Sequence, residues 1–192
     1  KSQLLGQIAL HLMSQGAKIC IASLEMPPKI LLGRLTSQAT GQRKPSHEYM
    51  NKALKWFSEN LWIYENRTEF STSKLLEIMR FARCRHGVDV CVIDSLMKCG
   101  IGEEDYNGQK AFIDALCHFK NLNDCQIHLI THPRKMKDES ISPGKMDIKG
   151  SGAISDLSNN GFSILRNKKP SASISNKAFD AKLTCYKQRN GD

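Results

Sequence analysis

Residues 88–94 read VDVCVID, four β-branched residues and a cysteine with one acid near the start and another at the end. A short, nearly continuous apolar run of this kind predicts a strand buried on both faces, and such a strand needs a covering layer on each side of its sheet. Similar runs recur at KICIASL (18–24), QIHLIT (126–131), GFSIL (161–165) and KLTCY (182–186), each bounded by polar or glycine-containing segments. Helical patterns lie between the earlier ones. Leu75, Met79 and Ala82 share one face of 73–86, and Phe112, Leu116 and Phe119 share one face of 109–123. This alternation predicts an α/β fold with a mainly parallel sheet between helices, because parallel neighbours need a crossover. The last two runs break the rhythm. Only the polar segment 167–181 separates them, which predicts an antiparallel C-terminal pair joined by a long hairpin loop.

The chain has 192 residues, 40% of them hydrophobic, enough for one sizeable core, and its length favours a single domain. Its net charge of +9 fits a polyanionic partner such as nucleic acid and is equally compatible with simple solubility. Seven cysteines, at 20, 84, 91, 99, 117, 125 and 185, form no CxxC pair and no zinc-spaced set with histidine. They are expected to be reduced and mostly buried thiols, in keeping with an intracellular protein. No apolar run approaches the roughly 20 residues that cross a bilayer, and no signal-peptide pattern opens the chain, so a soluble protein is expected.

Several strand ends carry residues suited to phosphate chemistry. Asp94 closes VDVCVID, and an acid at the carboxyl end of a buried parallel strand is placed to hold the water shell of Mg2+. Glu25 stands just beyond ICIAS, where a carboxylate can orient and deprotonate water beside a triphosphate. The plain alternative for Glu25 is a solvated charge before Pro27 and Pro28, and the catalytic reading requires Glu25 and Asp94 on adjacent strands. His132 ends IHLITH, where it can donate to a γ-phosphate or serve a purely structural role.

The chain begins KSQLLGQIALHLMSQG (1–16). In the pattern G-x-x-x-x-G-K-[ST], backbone NH groups surround phosphates, the lysine reaches the β and γ oxygens, and the hydroxyl holds Mg2+. Lys1 and Ser2 match its last two letters; an ordinary helix start is the alternative. At the other end, in YKQRNGD (186–192), Lys187 and Arg189 alternate on an extended segment and so point the same way. They are either solvated or, in a head-to-tail ring, cations that reach a neighbour's nucleotide. Segments 134–149 and 167–181, poor in large apolar residues, are expected to be surface loops.

Together, KS (1–2), ASLEM (22–26), VIDSL (92–96), THPRK (131–135), DIKGSGAISDLSNN (147–160) and YKQRNGD (186–192) resemble the RecA-like motor domain of the DnaB-type hexameric replicative helicases. The resemblance spans almost the whole chain and implies a P-loop NTPase core. By it, Lys1 and Ser2 end the phosphate loop, Glu25 is the catalytic glutamate, Asp94 the Mg2+-associated aspartate and His132 the γ-phosphate sensor. Lys187 and Arg189 match the paired trans-acting cations, and Arg34 an arginine near the nucleotide base. DIKGSG is similar to the channel loop that tracks DNA phosphates, with Lys149, Gly150 and Gly152 at the matching positions and Arg134 and Lys135 as added phosphate contacts. Many relatives have arginine where Lys149 stands. DnaB proper usually has glutamine at the His132 position, so the histidine tilts the resemblance toward the phage primase-helicase and Twinkle branch.

The resemblance implies ATP or another NTP with Mg2+, single-stranded DNA, a homo-oligomeric ring of six subunits, and primase and polymerase partners, without a membrane. A bacterial or phage-infected cytoplasm is the expected location, with the mitochondrion as alternative. The expected activity is a 5′ to 3′ DNA helicase motor, with residues 1–192 one RecA-like domain lacking the first strand and the glycine-rich part of the phosphate loop. Two other readings stay open: a RecA/RadA-type recombinase ATPase, and a non-catalytic DNA-binding module that has lost hydrolysis. The second draws on the segment Arg166–Arg189, where seven Lys or Arg stand against one Asp.

Overall fold

The computed structural model describes residues 2–65, 71–135, 141–166, 180–189 and 191. In chain order the elements are α1 (Ser2–Ser14), β1 (Ile19–Ser23), α2 (Pro28–Thr40), α3 (His47–Asn60), β2 (Leu61–Tyr64), α4 (Thr72–His86), β3 (Val90–Asp94), α5 (Tyr106–Asn123), β4 (Gln126–Leu129), α6 (Ala153–Leu157), β5 (Asn160–Arg166) and β6 (Ala181–Gln188). They divide into two compact units, the first comprising residues 1–101 and 115–131, the second 102–114 and 132–192.

The first unit carries a four-stranded sheet in the order β2-β1-β3-β4, every pair parallel. All five residues of β1 and all five of β3 are buried, as their unbroken apolar runs require. Its helices begin and end on local signals. Pro28 opens α2 at a position where a missing N–H costs nothing, and Gly41 closes it with φ +66°. Ser71 caps α4 by accepting from Lys74 N at 3.1 Å, and Gly87 ends that helix in the left-handed conformation. Leu75, Met79 and Ala82 are buried as the helical spacing predicted. Gly6 lets α1 and α2 approach closely, since a Cβ there would stand 2.5 Å from Gln38 Oε1 and 3.1 Å from Leu35 Cδ2. The core joins Ala9, Leu10 and Met13 of α1 to Ile19 and Ile21, Leu31 and Leu35, Phe57, Val90 and Val92.

Two features escape the sequence pattern. β2 has four residues and begins directly where α3 stops, at Asn60, with no intervening turn residue to mark the change from helix to strand. Its place beside β1 comes from parallel register, Ile19 opposite Leu61 through Ala22 opposite Tyr64. The cysteine expectation also needs correction: all seven thiols are free, but only Cys20, Cys91 and Cys99 are buried, while Cys84 and Cys185 are exposed. Cys84 lies on α4 and Cys185 on β6. Burial raises the Cys20 thiol to about 11 and Cys99 to about 12, so both are inert hydrophobes at neutral pH.

In the second unit β5 and β6 form an antiparallel pair, Arg166 opposite Ala181 and Asn160 opposite Gln188. The expected hairpin loop between them falls at 167–179, outside the described residues. The register shifts between Gly161 and Phe162, and Gly161 packs against the ring of Tyr186, which leaves no room for a side chain. Within the expected loop 134–149, the part described carries a one-turn 3₁₀ helix at Lys145–Asp147 and an antiparallel bridge between Pro133 and Ile148.

Candidate functional site

The strand order places a topological switch point between β1 and β3: from β1 the chain turns to β2 on one side, then returns to β3 on the other. In open α/β sheets, ligands bind outside the carboxyl ends of strands at such a point. The condition set for Glu25 is therefore met. Ser23 and Asp94 are register partners, Leu24 N donates to Asp94 O at 2.8 Å, and Glu25 follows immediately. Ser23 Oγ donates to Met26 O at 2.6 Å, which holds the turn that carries Glu25.

Two hydroxyl–carboxylate pairs occupy this edge. Ser2, in the first turn of α1, donates Oγ to Asp94 Oδ2 at 2.7 Å. Ser95, wholly buried, donates Oγ to Glu25 Oε1. Asp94 is 8% exposed and Glu25 is open to solvent, so one carboxylate is sheltered while the other faces water. The peptide between Asp94 and Ser95 is cis. A small hollow beside them is lined by Ser2, Leu5, Gly6, Ser23, Leu31 and Asp94. A larger one, lined by Ala17, Asp89, Asp124 and Gln126, lies at the amino ends of the strands, away from any of this chemistry.

The donors at the Ser2–Asp94 pair are oxygens alone, the set that a hard cation such as Mg2+ accepts when water and phosphate oxygens complete its shell. The residues present thus fit Mg2+. Among the described residues no group of three His, Cys, Asp or Glu side chains forms an all-protein metal cage. Lys1 lies outside the described residues. Arg34 is exposed on α2.

The remaining candidates belong to the second unit. His132 is partly buried, and its carbonyl accepts from Lys149 N at 2.9 Å; beside it Arg134 N donates to Asp147 O at 2.7 Å. Segment 132–134 is thereby stitched to 147–149. Arg134 and Lys135 are exposed, and Lys149 Nζ pairs with Glu103 at 2.5 Å. Gly150 has φ +113°, a conformation that disfavours any side chain. Gly152 differs: its φ is helical, and a Cβ there would meet only Asp156 at an ordinary contact distance. Lys187 and Arg189 do point the same way, as their alternation predicted. Lys187 Nζ donates to the carbonyls of Ser155 at 2.7 Å and Asp156 at 2.9 Å, and Arg189 Nη2 to the same Asp156 carbonyl at 2.7 Å. These carbonyls lie near the end of α6, where cations are favoured.

Sequence reasoning missed Ser95, Glu103 and Asp156 as members of these clusters. For Ser95 the adjacency to Asp94 was a usable signal. For the others no local pattern exists, because Glu103 stands 46 positions from Lys149 and Asp156 31 positions from Lys187.

The chain belongs to the AAA domain family, whose sequence profile matches residues 1–138. Its fold is that of a DnaB-type, RecA-like helicase ATPase domain. It is similar to a solved helicase ATPase domain, with a TM-score of 0.78 and 16% identity over 100% of this chain and 74% of that one. It is also similar to a DnaB-like replicative helicase described with its interactions with primase, with a TM-score of 0.71 and 18% identity over 93% of this chain and 48% of that one. The chain thus spans about half the length of that second helicase. No curated protein matches it in sequence. These structural likenesses define the fold. Among the described residues no helix is long and apolar enough to cross a membrane.

Proposed function

We propose that the chain is the NTP-hydrolysing motor of a replicative DNA helicase that moves 5′ to 3′ along single-stranded DNA as a six-membered ring. The observation that carries this is the pair of carboxylates, Glu25 and Asp94, at the carboxyl ends of adjacent parallel strands, with Ser2 on Asp94 and Ser95 on Glu25. Ser2 and Asp94 would hold Mg2+, which when bound neutralises charge on the nucleotide phosphates. Glu25 faces water and accepts the proton of the water that attacks the γ-phosphorus; the bond to the β–γ bridging oxygen breaks and NDP leaves. Ser95 holds that carboxylate in one orientation.

Lys1 reaches the phosphates, and Arg34 lies against the base. His132 donates to the γ-phosphate, and the hydrogen bond from Lys149 to its carbonyl joins it to the DNA loop. Lys149, Gly150, Gly152, Arg134 and Lys135 follow the phosphates of the strand without reading bases. Lys187 and Arg189 leave their own Asp156 carbonyl and neutralise the transition state at the neighbouring subunit. The histidine at 132 tilts this reading toward the primase-helicase and Twinkle branch, and primase and polymerase are its proposed partners.

Forked DNA substrates with a single 5′ or 3′ tail test this reading in the full-length protein. Unwinding that requires a 5′ loading tail, NTP and Mg2+ is expected, and its loss in Glu25→Gln. Extended filaments on DNA without unwinding would place the protein with recombinases instead.

A further inference from the structure

Gln109 is 5% exposed near the start of α5, a position where a primary amide needs partners for two N–H donors and an oxygen. All three find them. Its Nε2 donates to the carbonyls of Gly102 at 3.0 Å and Glu103 at 3.1 Å, and its Oε1 accepts from Ser151 N at 2.7 Å. The helix beneath is anchored by Asp105, whose carboxylate accepts from Gly108 N at 2.8 Å; a side chain at Gly108 would collide with that carboxylate. One amide group therefore fastens residues 102–103 to the loop at 149–152. Gly150 is glycine for the same reason, since a Cβ there would strike Gln109 Oε1.

We infer that Gln109 is a positioning residue for the phosphate-tracking loop, and that Glu103, held on the same amide, occupies Lys149 until DNA displaces it. The inference rests on the reading of 149–152 as a DNA-binding loop. Gln109 fixes the Ser151 N–H and the Gly150 turn, so Lys149 emerges in one direction. The Lys149–Glu103 pair is more than one-third exposed on both sides and weak, so a DNA phosphate can replace the carboxylate without a large penalty. The loop is then ordered before DNA arrives, and little conformational freedom is lost on binding.

The test uses the full-length protein and titrates NTP hydrolysis with oligo-dT. Gln109→Ala should raise the half-stimulating DNA concentration about tenfold, the effect of losing one buried hydrogen bond to an ordered loop, while the maximal stimulated rate stays within about twofold. Amide exchange at Ser151 should accelerate in parallel. If that variant fails to fold, Gln109→Glu keeps the acceptor for Ser151 but sets a carboxylate against two carbonyls, and should shift DNA stimulation the same way. Glu103→Gln should lower the half-stimulating concentration about threefold at low salt, because the carboxylate that competes with DNA phosphate for Lys149 is gone. An unchanged half-stimulating concentration in Gln109→Ala, or a fall in its maximal rate alone, would overturn the role of Gln109, and an unchanged half-stimulating concentration in Glu103→Gln that of Glu103. Wild-type hydrolysis indifferent to DNA would overturn the motor reading itself, and this inference with it.

Discussion

The hydroxyl of Ser2 donates to the carboxylate of Asp94 at 2.7 Å across 92 positions of sequence. Ser2→Ala leaves Asp94 sheltered with one partner fewer, and a hydrogen bond to a charged group is worth about 1.5–3 kcal/mol. The expected outcome is a raised Mg2+ requirement for hydrolysis and a lowered midpoint of denaturant unfolding. Hydrolysis titrated with Mg2+ checks the first and an unfolding curve the second; a normal Mg2+ dependence would remove Ser2 from the site.

Ser95 restrains Glu25, so the two should share a kinetic signature. Glu25→Gln should retain nucleotide yet lose hydrolysis by about 10²–10⁴-fold, the usual yield of a positioned general base. Ser95→Ala should lower kcat by about tenfold with nucleotide KM unchanged, since it misorients the base without touching the nucleotide. Steady-state kinetics of both variants decide this, and full turnover in Glu25→Gln would return Glu25 to a solvated charge.

Arg189 is held by a carbonyl of its own chain, and its proposed work lies on another. Arg189→Ala should therefore lose most hydrolysis, and mixing it with Glu25→Gln subunits should restore part of that loss, because some interfaces then pair an intact Arg189 with an intact Glu25. Mixtures that never exceed the weighted sum of the two mutants would exclude a role in trans.

Lys149 meets the carboxylate of Glu103 through its ammonium group. Lys149→Ala should impair DNA-stimulated hydrolysis more than basal hydrolysis and flatten the salt dependence of DNA binding by about 0.7 in log–log slope. Equal loss of both activities would contradict a place in the DNA-binding loop.

His128 on β4 has its pKa held below the ordinary 6.5 by burial, which penalises the charged ring. The unfolded chain then binds a proton that the folded chain resists. Stability from this residue is present above pH 6.5 and falls as pH drops below it. Unfolding curves at about pH 7.5 and about pH 5.5, on either side of that value, should show a smaller loss in His128→Gln than in wild type. Identical losses would show that His128 does not drive the pH dependence.

The parallel sheet was legible because VCVI and ICIA are apolar throughout, and a strand with no polar face has to lie between two layers. The helix faces at Leu75, Met79 and Ala82, and at Phe112, Leu116 and Phe119, were legible because their spacing repeats the helical turn, and all six are buried. β2 was not, since LWIY is too short to show a period and follows α3 without a break. The 132–134 to 147–149 pairing was hidden too, because segment 134–149 has the polar composition of any loop.

Local pattern thus determined which stretches are strands, which helix faces turn inward, and that Asp94 closes a buried strand with Glu25 just beyond another, whereas β4 stops at Leu129, short of His132. It did not determine that Glu25 and Asp94 are neighbours. That follows from β1 pairing with β3 rather than with β2 alone, a choice made by long-range packing of two equally apolar strands. Nor did it show that Ser95 takes Glu25, that Asp156 receives both Lys187 and Arg189, or that Gln109 fastens Ser151. Each depends on a hydrogen bond between residues distant in the chain. The need of a buried polar group for a partner is a property of the residue, but the partner's identity belongs to the folded chain.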